Sequence, residues 1–261
     1  MKKWIALLAA ALLLAGCLAG CGQSSTKDSD KAYVQDKGKL IVGVTVFEPM
    51  DYQDDNGNWI GFDADMAKAF AKSLGVEAEF IVIDWDNKAM ELQNKSIDCV
   101  WNGMTLIDEV KSAMECSAPY CNNQQVVVLP KDKAEEYKTA EACKALRFAV
   151  ENGSAGKKMA EENEFTFTEV ADQATAVMEV ASKTSDAAII DSLMAAAMVG
   201  ENTGYPDLTY TIALNSEEYG VGFRKGSDLA KELDSFFAAA KADGSLLETA
   251  EKYGVQAALI D

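Results

Sequence analysis

Histidine is absent from this chain of 261 residues. That excludes Ser-His-Asp triads, His-ligated metals and imidazole acid–base chemistry. There is no Cys-x-x-Cys pair either. Four cysteines lie in the body of the chain, at Cys99, Cys116, Cys121 and Cys143, and their spacing establishes no disulfide. No Gly-x-x-x-x-Gly-Lys-Ser/Thr word is present, so no ATP site is expected. Basic charge is scarce: 24 Lys and Arg stand against 42 Asp and Glu, a net charge of −18. So acidic a body has no basic patch for nucleic acid or an anionic lipid face. Proline occurs four times, and Gly/Pro punctuation marks no clean domain boundary.

What is present begins at the N-terminus. Lys2 and Lys3 precede an apolar run from Trp4 to Ala15 and then small residues, the plan of a signal peptide. The run falls short of the roughly 20 apolar residues that span a bilayer. The stretch "LLAGCLAGCGQ", Leu13 to Gln23, offers Leu-Ala-Gly-Cys twice. It resembles the bacterial lipobox, whose cysteine sulfur receives a diacylglycerol and becomes the mature N-terminus. Cys21 is the favoured lipidation site, because polar "GQSSTKDSDK" follows it and suits a flexible tether; Cys17 is the alternative. Residues 1–20 are thus expected to be a lipoprotein signal peptide and 21–37 a tether. Loss of residues 1–20 removes two lysines and no acid, taking the charge to −20 (22 minus 42).

The body alternates strand and helix signals. "KLIVGVTV" reads as a buried strand, and "DADMAKAFAKSLG" spaces Met66, Ala67, Phe70, Ala71 and Leu74 as one helical face ending on Gly75. "EAEFIVID" and "SIDCVW" read as strands around a short helix in "NKAMELQN", and similar rounds continue to two closing helices between Ser227 and Tyr253. This alternation predicts an α/β fold with largely parallel sheets.

Six stretches in register carry a more specific likeness. They are "FEPMDYQDDNGNWIGFDADMAKAFAKSLGV", "DWDNKAMELQNKSIDCVWNGMT", "SAPY", "ENGSAGKKMAEEN", "SDAAIID" and "YGVGFRKG". Together they resemble the extracytoplasmic amino-acid-binding proteins of ABC importers, extracellular solute-binding protein family 3, with the type II periplasmic binding fold. The resemblance implies two α/β lobes joined by two crossing strands with a ligand cleft between them. On that pattern residues 38–124 and 219–261 form lobe 1 and residues 125–218 form lobe 2.

The chemistry of the matching residues suits a zwitterion, which needs acceptors for its ammonium and donors for its carboxylate between apolar walls. Asp191 follows apolar "AAII" at a strand-to-helix switch, where α/β sheets bind ligands. The resemblance gives it the ligand ammonium, while an Asp before a helix is also a capping residue. Asn102, Gly103 and Thr105 follow the strand "SIDCVW"; Gly103 lets the backbone approach a ligand, and Thr105 can donate or accept. "NGSAG" opens a helix, so the Ser154 and Ala155 amides are an anion site for the carboxylate. By resemblance Phe47 and Trp85 are aromatic walls against the ligand's stem, and Glu48 and Glu151 lie near its side chain. Two acids there favour a cationic or amine-bearing side chain, or else form a solvated rim.

Two departures matter. Relatives carry an arginine that clasps the ligand carboxylate, and the register puts Val110 there. Losing a charge-assisted bond costs about 1.5–3 kcal/mol. Lys88 is a candidate replacement, as is Lys111; alternatively the backbone anion site suffices, or the ligand is not a standard α-amino acid. The second is "YQDDNGNWIGFD", Tyr52 to Asp63, which approaches an EF-hand loop but has Tyr52 first and Asp63 twelfth. A hairpin turn on Asn56-Gly57 explains it better, and no metal is expected.

The expected function is a lipid-anchored substrate-binding protein that captures a small polar solute, expected to be an amino acid, by hinge closure. It would act as a monomer beside a membrane permease and its cytoplasmic ATPase, either on the outer face of the cell membrane or in the periplasm. Contact with the membrane would be through the anchor alone, with no nucleic acid, no cofactor and no catalysis. The alternatives are an enzyme on the same fold, dehydratase-like, and a ligand-sensing protein.

Overall fold

The computed structural model describes residues 29–260. The signal peptide and both candidate lipidation cysteines, Cys17 and Cys21, lie outside the described residues. Among the described residues thirteen strands run in chain order: β1 (Lys39–Val44), β2 (Tyr52–Gln53), β3 (Trp59–Ile60), β4 (Glu77–Val82), β5 (Cys99–Thr105), β6 (Glu115–Cys116), β7 (Cys121–Asn123), β8 (Gln125–Pro130), β9 (Arg147–Glu151), β10 (Thr166–Val170), β11 (Ala187–Asp191), β12 (Leu208–Ala213) and β13 (Glu217–Phe223). They build two separate sheets and a small hairpin. The first sheet has the order β4-β1-β5-β13-β6 with β7 also on β13; the second has the order β10-β9-β11-β8-β12.

The chain leaves the first sheet after β7 and enters the second at β8, then returns between β12 and β13. The return falls at Glu217, where β13 begins, rather than at residue 219. The sheets are mixed rather than largely parallel. β1 is parallel to β4 and β5, and β9 to β10 and β11, whereas β13 runs antiparallel to β5, β6 and β7, and β8 antiparallel to β11 and β12. The antiparallel partners are those next to the crossovers. A strand arriving from the other lobe enters without the helical return that a parallel neighbour requires.

Helices cover the sheets by their apolar faces. Helix Phe62–Ser73 buries Met66, Ala67, Phe70 and Ala71. Phe70 lies 6.2 Å from Trp101 of β5 and 5.5 Å from Phe236 of helix Leu229–Asp243, ring centre to ring centre. Each such side chain stabilises the lobe by about 1.5–3 kcal/mol. In the second lobe Phe148 stacks on Phe165 at 4.6 Å. Cys99, Cys116, Cys121 and Cys143 are free thiols. The acidic stretch at residues 52–60 is the β2–β3 hairpin, in which the Asp54 carboxylate accepts from the amides of Asn56 and Asn58 and Gly57 takes a left-handed φ of 80°.

The tether is shorter than the sequence suggested. Asp30–Lys37 is a helix, with Ser29 accepting from the Ala32 amide and Gly38 closing it at a φ of 74°. It is docked, not free. Val34 is buried, and the Arg224 guanidinium binds Asp30 at 3.0 Å, Asp98 at 3.2 Å and the Ile97 carbonyl at 2.8 Å. Lys37 also reaches Asp98, at 2.5 Å. The signals for this helix, a Ser-Asp start and Lys-Gly end, are local; what holds it is long-range charge. Arg224→Ala leaves two carboxylates short of a partner, so it should destabilise the protein by about 3 kcal/mol. Urea denaturation should show a lower midpoint.

Candidate functional site

The two lobes meet over a cavity floored by the ends of β5, β9 and β11. It encloses about 20 Å³, of the order of a single water, so the lobes are closed. Phe47, Trp85, Lys88, Asn102, Gly103, Thr105, Glu151, Ser154, Ala155 and Asp191 all line it, as does Val110. Glu48 does not. The tight turn in which Phe47 and Asp51 exchange backbone hydrogen bonds at 2.7 Å turns Phe47 inward and leaves Glu48 exposed.

Asp191 ends β11 and is buried. Its side chain makes no capping bond to the helix that follows. Instead Oδ1 accepts from the Tyr219 hydroxyl at 2.6 Å, from the Gln125 amide at 3.0 Å and from Asn123, while Oδ2 accepts from Gln173. Asn123 and Gln125 lie on the first crossover, and Tyr219 on the second. Glu217, also on the second, accepts from Thr105, Asn123 and Gln125 at 2.7–2.9 Å. The carboxylate at the cleft is thus suspended between both connections of the hinge. Burial, reinforced by the nearby Glu217 charge, pushes the Asp191 carboxyl up to about 8. None of Asn123, Gln125, Gln173, Glu217 or Tyr219 stood out in the sequence, because they are brought together from three separate segments.

Asn102, Gly103 and Thr105 belong to β5 itself rather than following it, since the strand runs on to Thr105. The Asn102 side chain is spent on the scaffold. Its oxygen accepts from the Thr45 amide and hydroxyl, and its nitrogen donates to the Thr45 carbonyl and Asp51. Gly103 has a φ of 55°, and a Cβ there would sit 2.5 Å from the Phe47 ring. Its amide donates to the buried Asp63 at 2.7 Å, which also accepts from Tyr120. Burial holds the Asp63 carboxyl up at about 6.

Across the cleft, Ser154 caps helix Ala155–Glu162 by accepting from the Lys157 amide at 3.1 Å. The Ser154 amide itself reaches the Glu151 carbonyl at 3.3 Å. The Ala155 amide, at the first position of the helix, has no intrahelical acceptor and points the positive end of the helix at the cavity. Phe47 and Trp85 are both buried cleft walls, Trp85 within a cluster that includes Ile83, Leu92 and Val110. Lys88 is buried too. Its ammonium lies 4.9 Å from the Trp85 ring centre and donates at 2.9 Å to two carbonyls, that of Trp85 in its own lobe and that of Gly153 in the other. Burial lowers its pKa, and the Glu151 charge opposes that shift. Arg147 and Arg224 are occupied elsewhere, with Asp186 and with Asp30 and Asp98.

This arrangement brings a buried carboxylate and a helix N-terminus of the second lobe into one cavity with an ammonium and two aromatic walls of the first. The family model for bacterial extracellular solute-binding proteins, family 3, matches residues 40–256. The chain belongs to this family. It is 30% identical over 224 residues to the L-cystine-binding protein TcyJ of Escherichia coli K12, with 84% of each chain covered. It is 30% identical over 260 residues to the arginine-binding extracellular protein ArtP of Bacillus subtilis, covering 97% of this chain and 98% of the relative. Among solved structures, a mutant of ArgBP from T. maritima superposes with a TM-score of 0.80 at 32% identity, covering 86% of this chain and 98% of that one. The solved structures it resembles are two-lobed amino-acid-binding proteins. Among the described residues, no helix is long and apolar enough to cross a membrane.

Proposed function

We propose that this chain is the extracytoplasmic solute-binding component of an ABC importer and that its solute is an amino acid. The observation that carries the reading is the buried Asp191 carboxylate at the lobe interface, held by donors from both crossovers. Asp191 takes the ligand ammonium, with Thr105 beside it. The Ala155 amide and Lys88 take the carboxylate, so Lys88 does the work that Val110 cannot. Phe47 and Trp85 sandwich the stem. The named solutes of the relatives, cystine and arginine, support an amino acid as the ligand class.

The cavity as it stands has room for no more than a water, so an amino acid enters as the lobes part about the two crossovers and is then held in a form slightly less tightly shut than this one. Only a ligand that binds the closed form better than the open one shifts that balance. The mature chain begins at Cys21 (with Cys17 the alternative), carries acyl chains, and works as a monomer beside a permease and its cytoplasmic ATPase. Its tether ends at residue 28, because the helix from Asp30 is docked on lobe 1.

The test is isothermal titration calorimetry of the full chain in detergent against the standard amino acids, cystine, dipeptides and the decarboxylated amines putrescine and agmatine. Micromolar or tighter binding of one or more α-amino acids is expected. Binding of amines in their place, silence across the panel, or conversion of a ligand to product would refute the reading.

A further inference from the structure

Two acids meet at the hinge among neutral donors. Asp191 Oδ1 and Glu217 Oε1 accept from the same two side-chain amides: Gln125, at 3.0 and 2.8 Å, and Asn123, which lies 2.7 Å from Glu217. Among the described residues, the other donors to the two carboxyl groups are the hydroxyls of Tyr219 and Thr105 and the amides of Gln173 and Asn215. None carries a charge. Lys88, the cation on the cavity wall, is committed to the carbonyls of Trp85 and Gly153. Two like charges set close together away from water are not both kept ionised without a counter-ion. Asp191 is the deeper of the two, 4% exposed. Burial, then the Glu217 charge, is what raises its carboxyl to about 8. The other titratable groups facing it are Tyr219 on β13 and Glu151 on β9, with Lys88 and Asp172 around Glu151. Thr105 gives its one hydroxyl hydrogen to Glu217 at 2.9 Å, so towards the cavity its oxygen can only accept.

We infer that Glu217 is a positioning residue for the ammonium site: in the empty cleft Asp191 and Glu217 hold one proton between them, and the ligand ammonium displaces it to solvent. The inference rests on the reading that Asp191 takes the ligand ammonium. It adds what that site holds beforehand and which residue sets it. One O–H bond of the carboxyl pair breaks, the proton goes to water, and the ammonium takes its place beside Asp191. Glu217 does not line the cavity. It acts through Asp191, whose proton it retains, and through Thr105, whose oxygen it leaves as an acceptor for the same ammonium. Proton and ligand compete for one carboxylate, so affinity weakens as pH falls below the Asp191 pKa. Because Glu217 lies on the second crossover and the shared donors Asn123 and Gln125 on the first, the exchange takes place at the hinge itself.

The experiment is calorimetry of the full chain in detergent with L-arginine and L-glutamine, from pH 6 to pH 8, where the α-ammonium of both stays protonated. At pH 7 it is run in two buffers of different ionisation enthalpy, which counts the protons released. Wild type should release about one proton per ligand. Its affinity for either ligand should weaken by more than about tenfold from pH 8 to pH 6. Glu217→Gln, which keeps the shape and removes the second charge, should cut the proton count by at least about half and flatten the pH profile. No proton release from wild type, with affinity level across this range, would overturn the inference and leave the amino-acid reading standing. Release undiminished in Glu217→Gln would do the same. Should Glu217→Gln fail to fold, Glu151→Gln removes the other acid facing Asp191: continued release supports the inference, and loss of release assigns the proton to Glu151 and overturns it. If neither ligand binds, the first binder among the standard amino acids replaces them. If none binds, the amino-acid reading falls and the inference with it.

Discussion

Asp191→Ala should abolish amino-acid binding, lowering affinity by more than about 100-fold, since deleting one member of a buried charge pair costs about 3–5 kcal/mol. The loss has two sources. The ligand ammonium is left buried without its counter-charge, and the Tyr219 hydroxyl and Gln173 amide lose their acceptor, while Gln125 keeps Glu217. Because two of the Asp191 donors, Asn123 and Gln125, sit on the first crossover and Tyr219 on the second, the variant should also loosen the hinge. Titration calorimetry with the best ligand of the panel measures the first effect. Amide hydrogen exchange across residues 121–126 and 215–220 measures the second, as faster exchange without ligand. Undiminished affinity would mean that the ammonium is held elsewhere.

The second large effect belongs to Gly153. It stands at a φ of 69° in the turn that faces lobe 1, and a Cβ there would lie 2.6 Å from the Cα of Asp86 and 2.7 Å from its carboxylate. Asp86 backbone cannot swing away as a long side chain could. Gly153→Ala therefore props the lobes apart and breaks the bond between Lys88 and the Gly153 carbonyl. Left-handed backbone costs a non-glycine residue about 1–2 kcal/mol in any state, which appears as a modest drop in melting temperature. The clash exists only when the lobes are shut. Affinity should therefore fall by about 10- to 100-fold while the lobes themselves stay folded. A variant that binds as tightly as wild type would show that closure does not bring Gly153 onto Asp86.

Much of this was legible in one dimension, and the reasons differ from residue to residue. Asp191 was visible because an acid at the end of an apolar strand, ahead of a helix, has few tasks open to it, and the structure shows that capping that helix is not among them. Val110 in the cleft wall and Lys88 beside it were both legible as a departure from a family pattern, though not the bond from Lys88 to the opposite lobe. Glu48 was misplaced because sequence order gives no sign of which neighbour a tight turn sends outward. The helix Asp30–Lys37 was read as tether because it has little apolar face of its own; only Arg224, nearly two hundred residues later, reveals why it is docked. The donors around Asp191 were invisible for the same reason: amide and hydroxyl side chains acquire meaning only when the fold brings them to one carboxylate.

The central claim is that the lobes close around an amino acid. Small-angle X-ray scattering of the full chain in a contrast-matched detergent, with and without the tightest ligand of the panel, tests it most directly. The account predicts that the radius of gyration falls with ligand occupancy and that the liganded curve approaches the one calculated from the closed arrangement. Saturating ligand that leaves the scattering curve unchanged would contradict it.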